Sequence, residues 1–129
     1  MDTHDLEGQP LFEGLTKRDL EKVARWADVV DVPEGYHLLN QGRLPHEFFV
    51  ILDGKADVER EGKPLAELGP GDFFGEIALL EHDRRTATVV ASSAMQLMVM
   101  ATREFDSMCH DYPVVADRIT NVFRERREH

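Results

Sequence analysis

The run Phe74-Gly75-Glu76-Ile77-Ala78-Leu79-Leu80-Glu81-His82-Asp83-Arg84-Arg85-Thr86-Ala87-Thr88-Val89 brings three kinds of chemistry into one short stretch. Gly75 opens a helix-competent segment, and a helix start leaves backbone N–H groups free to hold an anion such as a phosphate. Glu76 follows at once, and its carboxylate can accept hydrogen bonds from a sugar hydroxyl. Arg84 and Arg85 arrive just before a β-type run, where an arginine can neutralise the same phosphate. A site that grips a nucleotide by its phosphate and its ribose needs these groups close together. The plainer reading is an ordinary loop and short helix bridging two strands.

The elements that must position this run are legible on either side. Leu11, Phe12, Leu15, Leu20, Val23, Ala24 and Trp26 recur at intervals near three and four, the mark of a helix with one apolar face. Thr16 is a good N-cap, with Asp19 three residues on in a capping-box-like position. The pattern predicts a helix over about 16–26. From about 27 to 101 the text is β, with short apolar or alternating runs at Val29–Val32, Tyr36–Leu39, Phe48–Leu52, Ala56–Glu59, Thr86–Val90 and Met95–Met100. Turn chemistry separates them at Pro33-Glu34-Gly35, Asn40-Gln41-Gly42, Asp53-Gly54, Glu61-Gly62 and Gly69-Pro70-Gly71-Asp72. Many short strands with glycine turns predict a mainly β fold, an eight-stranded jelly-roll-like β-barrel. Two helices close the chain over about 102–127, the first capped by Thr102 and the second entered through Pro113. Val115, Ile119, Val122 and Phe123 make one apolar stripe on the last helix, and the tail Arg124–His129 puts cations at its favourable end. The whole chain, 1–129, reads as a single domain.

Composition narrows the function. A chain of 129 residues with 42% hydrophobic content can bury one real core. Its formal net charge of −10 repels nucleic acid phosphates and anionic membranes, so neither is expected as a direct partner. Cys109 is the only cysteine, which rules out an internal disulfide and fits a reducing, cytoplasmic setting. The N-terminus is acidic and has no signal-peptide pattern. No apolar run approaches the roughly 18 residues of a membrane span.

At this point the residues reach a family. Phe74-Gly75-Glu76-Ile77-Ala78-Leu79 followed by Arg85-Thr86-Ala87-Thr88-Val89 closely resembles the phosphate-binding cassette of cyclic nucleotide-binding domains. Those domains occur in catabolite activator proteins, kinase regulatory subunits and cyclic nucleotide-modulated channels. The resemblance extends over most of the chain, from about Leu11 to Arg127, and includes Leu68-Gly69-Pro70-Gly71-Asp72-Phe73-Phe74. It implies that Gly75 permits close backbone approach and that the amides of Ile77 and Ala78 donate to the cyclic phosphate. It implies that Glu76 accepts from the ribose 2′-hydroxyl, that Arg85 pairs with an equatorial phosphate oxygen, and that Thr86 adds a hydroxyl near phosphate or base. Arg85 can also help offset the charge of a buried Glu76. Many members have proline where Arg84 stands; Arg84 is expected to face solvent.

The remaining chemistry-bearing residues take quieter readings. His37, His46, His82 and His110 are scattered without metal-ligand spacing, so no metal or cofactor is expected. Met95, Met98 and Met100 read as core filling, and Cys109 as a small buried hydrophobe. With no nucleophile–base pair, no catalysis is expected. The expected function is a regulatory module that binds a cyclic nucleotide, cAMP first and cGMP second, and signals through the closing helices. Leu79 and Leu80 with Phe105 would form the hinge, and the last helix could also pair with a second copy or an effector. Two alternatives stand. One is a degenerate domain serving as a protein-interaction module. The other is the sensor fragment of a catabolite-activator-type transcription factor, whose helix-turn-helix this chain lacks before His129.

Overall fold

The computed structural model describes residues 1–42, 46–76, 80, 85 and 87–127. A 3-10 turn at Thr3–Asp5 and another at Pro10–Phe12 lead into helix α1 (Lys17–Ala24). The capping box is formed: Asp19 N–H donates to Thr16 Oγ1 at 3.1 Å, and Thr16 N–H donates to Asp19 Oδ2 at 3.0 Å. Helix α1 buries Leu20, Val23 and Ala24. It stops at Ala24, short of Trp26, and Leu11 and Phe12 sit in their own turn begun by Pro10.

Eight strands follow: β1 (Asp28–Val32), β2 (His37–Leu39), β3 (Glu47–Asp53), β4 (Ala56–Arg60), β5 (Lys63–Leu68), β6 (Phe73–Phe74), β7 (Thr88–Ala91) and β8 (Met95–Ala101). They form two four-stranded sheets, ordered β1-β8-β3-β6 and β2-β7-β4-β5. The fold is therefore a jelly roll of two facing sheets, and the expected closed barrel is corrected: no pairing joins the sheets among the described strands. Helices α2 (Thr102–Asp111) and α3 (Pro113–Arg127) complete the described chain.

Strand alternation explains the layering. Along β3, Phe49 and Ile51 enter the core between the sheets, whereas Phe48 and Val50 face the helices. Strand β8 repeats the arrangement, with Met95 and Leu97 between the sheets and Met98 and Met100 under the helices. Successive side chains of a strand point to opposite faces, so a strand apolar at every position must be covered twice. The first sheet is thus the middle layer, with the second sheet on one side and the helices on the other. Phe105, Met108, Val115 and Ile119 of α2 and α3 pack on it with Leu20 and Val23 of α1.

The helix ends are tied down as well. Lys22 Nζ lies 2.7 Å from Asp111 Oδ2 and 5.8 Å from the centre of the Tyr112 ring, joining α1 to the α2–α3 junction. Arg118 of α3 donates to the Leu11 carbonyl at 2.9 Å.

Candidate functional site

Strand β6 delivers the site. Phe73 points into the helix-side core and Phe74 into the core between the sheets, where it stacks on Phe49 at 4.8 Å between ring centres. With both side chains committed to opposite cores, the chain leaves β6 in a fixed direction. It then turns at Gly75, whose φ is +93°. A Cβ at this position would stand 2.8 Å from the Glu47 carbonyl oxygen and 3.2 Å from Arg85 Nη1. Glycine is required here on two counts, backbone conformation and space.

Arg85 closes the other side. Its Nη1 donates to the Gly75 carbonyl at 2.8 Å, and its Nη2 donates to the Glu47 carbonyl at 2.6 Å. Arg85 is 6% exposed. Burial lowers its pKa, opposed by the carboxylates of Glu47 and Glu76. Among the described residues, two carbonyls take part of a guanidinium that carries five N–H donors, and the group also lines the cavity, where it can face an anion.

Glu76 is 1% exposed. Burial pushes its carboxyl above the ordinary range, against the pull of Arg126, of a backbone N–H and of Arg85. Its hydrogen-bonded partner is Arg126 of α3, whose Nη1 donates to Glu76 Oε1 at 2.5 Å. The same guanidinium donates through Nη2 to the Phe73 carbonyl at 2.6 Å and lies 5.3 Å from the centre of the Phe73 ring. An isolated buried carboxylate is costly, and a paired, hydrogen-bonded one far less so.

These groups border a cavity of about 340 Å³. Gly75, Glu76, Arg85 and Arg126 form its polar side, and Leu39, Val58, Leu65, Leu68, Phe74 and Val89 its apolar wall. Leu65 is 49% exposed, so part of that wall is open. The cavity offers a cationic anchor, a carboxylate acceptor and a broad apolar face, enough to orient a small anionic ligand with a flat apolar part.

The fold therefore brings Gly75, Glu76 and Arg85 together from the sequence-expected set. Ile77, Ala78 and Thr86 lie outside the described residues, as do Arg84 and Leu79. Arg85 lends its charge to Glu76 as expected, makes its hydrogen bonds to the Gly75 and Glu47 carbonyls, and Arg126 is the residue bonded to the carboxylate. One expectation is corrected. Thr102 is not the cap of α2, because Ala101 holds that position and the Thr102 hydroxyl donates to the His46 carbonyl. Sequence reasoning missed Arg126 because the tail's cations had a sufficient local role at a helix end. The one available signal was the need of a buried Glu76 for a partner. Cys109 is half-buried, and its thiol is pushed up to about 11 by burial, so it stays protonated.

A two-sheet jelly roll whose cavity joins a buried arginine and glutamate to an apolar wall, with the end of a helix on its rim, defines a class of small-ligand-binding domains. Residues 29–112 match the family model for the cyclic nucleotide-binding domain, and the chain belongs to that family. It is similar to a cyclic nucleotide-gated potassium channel of Rhizobium etli, 33% identical over 118 residues, covering 92% of this chain and 33% of the channel. It is also similar to a cAMP-dependent protein kinase regulatory subunit of Schizosaccharomyces pombe, 33% identical over 104 residues, covering 80% of this chain and 25% of that subunit. The crystal structure of the Thermus thermophilus catabolite activator protein superposes with a TM-score of 0.82 at 27% identity, covering 92% of this chain and 58% of that one. The chain thus spans about a third of the channel and a quarter of the kinase subunit. Among the described residues, no helix is long and apolar enough to cross a membrane.

Proposed function

We propose that this chain binds cAMP as a cytoplasmic regulatory module and performs no catalysis itself. The observation that carries the reading is the single cavity in which Gly75, Glu76 and Arg85 converge opposite an apolar wall. Its volume suits a small ligand. In this reading Arg85 and the amides of Ile77 and Ala78 hold the cyclic phosphate, Glu76 accepts from the ribose 2′-hydroxyl, and Thr86 adds a hydroxyl. The purine covers Leu65 and Val58. The kinase relative is named for cAMP dependence, which supports cAMP over cGMP.

Signalling runs through α3. Arg126 sits on the cavity wall and on Glu76, so a ligand that engages Glu76 changes the contacts that hold the end of α3. Binding then shifts the helix equilibrium by the difference in affinity for the two arrangements. Isothermal titration with cAMP and with cGMP tests the binding claim. Binding of cAMP in the wild type, weakened more than about tenfold by Arg85→Ala, is the expected result, since that change removes a charge-assisted contact.

The Arg126–Glu76 pair favours one other reading, a domain whose sugar acceptor is filled by its own arginine and which serves as an interaction module. Absence of heat with either nucleotide at millimolar concentration would select it.

A further inference from the structure

Three parts of the fold meet at two successive carbonyls, those of His46 and Glu47. The Glu47 carbonyl accepts from Arg85 Nη2 at 2.6 Å and packs directly against Gly75. One residue earlier, the His46 carbonyl accepts from both the backbone N–H and the hydroxyl of Thr102, each at 3.2 Å. Thr102 is the first residue of α2. A threonine at the N-cap spends its hydroxyl on the helix's own N–H groups, but Thr102 stands one residue inside, after Ala101. Its hydroxyl is turned onto strand β3. Glu47 is the first residue of that strand and pairs with Ala101, the residue before Thr102. Arg85 and α2 therefore hang from adjacent carbonyls of one strand end.

We infer that Thr102 is a positioning residue for the phosphate site. By holding the His46 carbonyl, it steadies the next carbonyl along the strand, that of Glu47, which aims the Arg85 guanidinium. The inference deepens the cyclic-nucleotide reading and rests on it for its effect on affinity. Its structural half concerns Arg85 alone. An arginine held by two carbonyls presents its remaining N–H groups in one direction, and a ligand then loses less freedom in pairing with it. Removing the Thr102 hydroxyl loosens the Glu47 carbonyl without touching the cavity. The same joint gives α2 a direct mechanical link to the anion site, separate from the one through Arg126.

The test has two readouts. In the ligand-free protein, NMR measures solvent exchange of the Arg85 side-chain N–H protons, with backbone amide exchange in β8 as the control for global stability. Thr102→Val is expected to speed Arg85 exchange while leaving β8 unchanged, and Thr102→Ser is expected to restore the slow rate. In titrations with cAMP, Thr102→Val should weaken binding by about three- to tenfold, the effect of one neutral hydrogen bond, and Thr102→Ser should recover most of it. In an Arg85→Lys background, Thr102→Val should cost nothing further, because a lysine cannot hold both carbonyls. Unchanged Arg85 exchange in Thr102→Val overturns the proposal, as does an affinity loss that persists in full beside Arg85→Lys. If the wild type binds neither cAMP nor cGMP, the functional reading fails and the exchange measurement alone decides the positioning role.

Discussion

Arg126 reaches from the last turns of α3 to Glu76, fifty positions away in sequence, and donates to its Oε1 at 2.5 Å. The buried carboxylate of the site is thus held by the end of the helix that borders the cavity. The same arginine caps the end of β6 through the Phe73 carbonyl. Ligand site and closing helix consequently share one ion pair, and disturbing either side is felt by the other.

Arg126→Met should therefore destabilise the protein by about 2 kcal/mol at neutral pH, the scale of a lost hydrogen bond to a charged group. The Arg126 side chain keeps 26% exposure, so the cost falls below that of a fully buried pair. Burial already raises the Glu76 pKa, and loss of Arg126 raises it further. A carboxyl raised in the folded state contributes stability that is present below its unfolded pKa and is lost as pH rises through the folded value. The penalty of the variant should shrink as pH falls into the ordinary carboxylate range. Urea unfolding of both proteins from neutral to acid pH measures this, and a pH-independent difference would contradict it.

The sugar role of Glu76 is separable from its structural role. In the proposed mode, 2′-deoxy-cAMP lacks the hydroxyl that Glu76 accepts from, and it should bind about tenfold more weakly than cAMP, because a hydrogen bond to a charged acceptor is lost. Glu76→Gln should narrow that ratio, since a neutral amide oxygen accepts more weakly. Competition titrations give all four affinities, and equal discrimination by both proteins would place the 2′-hydroxyl elsewhere.

Gly75→Ala should cost about 2 kcal/mol or more through left-handed strain and a collision with backbone. The added Cβ would meet the Glu47 carbonyl at 2.8 Å and the Arg85 guanidinium at 3.2 Å. Nucleotide binding should be lost with it. Gly35 has a similar φ of +86° but nothing within 4 Å of a built Cβ, so Gly35→Ala should cost about 1 kcal/mol from strain alone. Thermal melts of the two variants compare conformation with crowding directly.

Thr16→Ala removes one half of the α1 capping box and should cost about 1 kcal/mol, with cAMP affinity unchanged. The Thr16 backbone N–H, and after it the Thr16 hydroxyl, hold the Asp19 carboxyl below its ordinary range. A carboxyl lowered in this way contributes stability above its unfolded pKa and loses it as pH falls through the folded value. The difference between wild type and variant should accordingly narrow in acid. Denaturant unfolding at two pH values checks both the size and the direction.

Much of this molecule follows from local rules. Strand alternation in β3 and β8, the glycine turns and the Thr16–Asp19 capping box are each properties of a few adjacent residues, so the sequence by itself determined the jelly-roll class and its flanking helices. The same holds for Gly75, Glu76 and Arg85 as a candidate set, because their types and spacing lie in one short run. Local rules also misled at two places. Thr102 has the residue type of a cap and Arg126 the charge of a helix end, yet both spend their hydrogen bonds on distant backbone or side-chain groups. Which of several acceptable partners a polar side chain takes depends on what the packed layers bring within about 3 Å, the reach of a hydrogen bond. Only the tertiary structure decides that, because it alone fixes where β6, the start of β3 and the end of α3 come together.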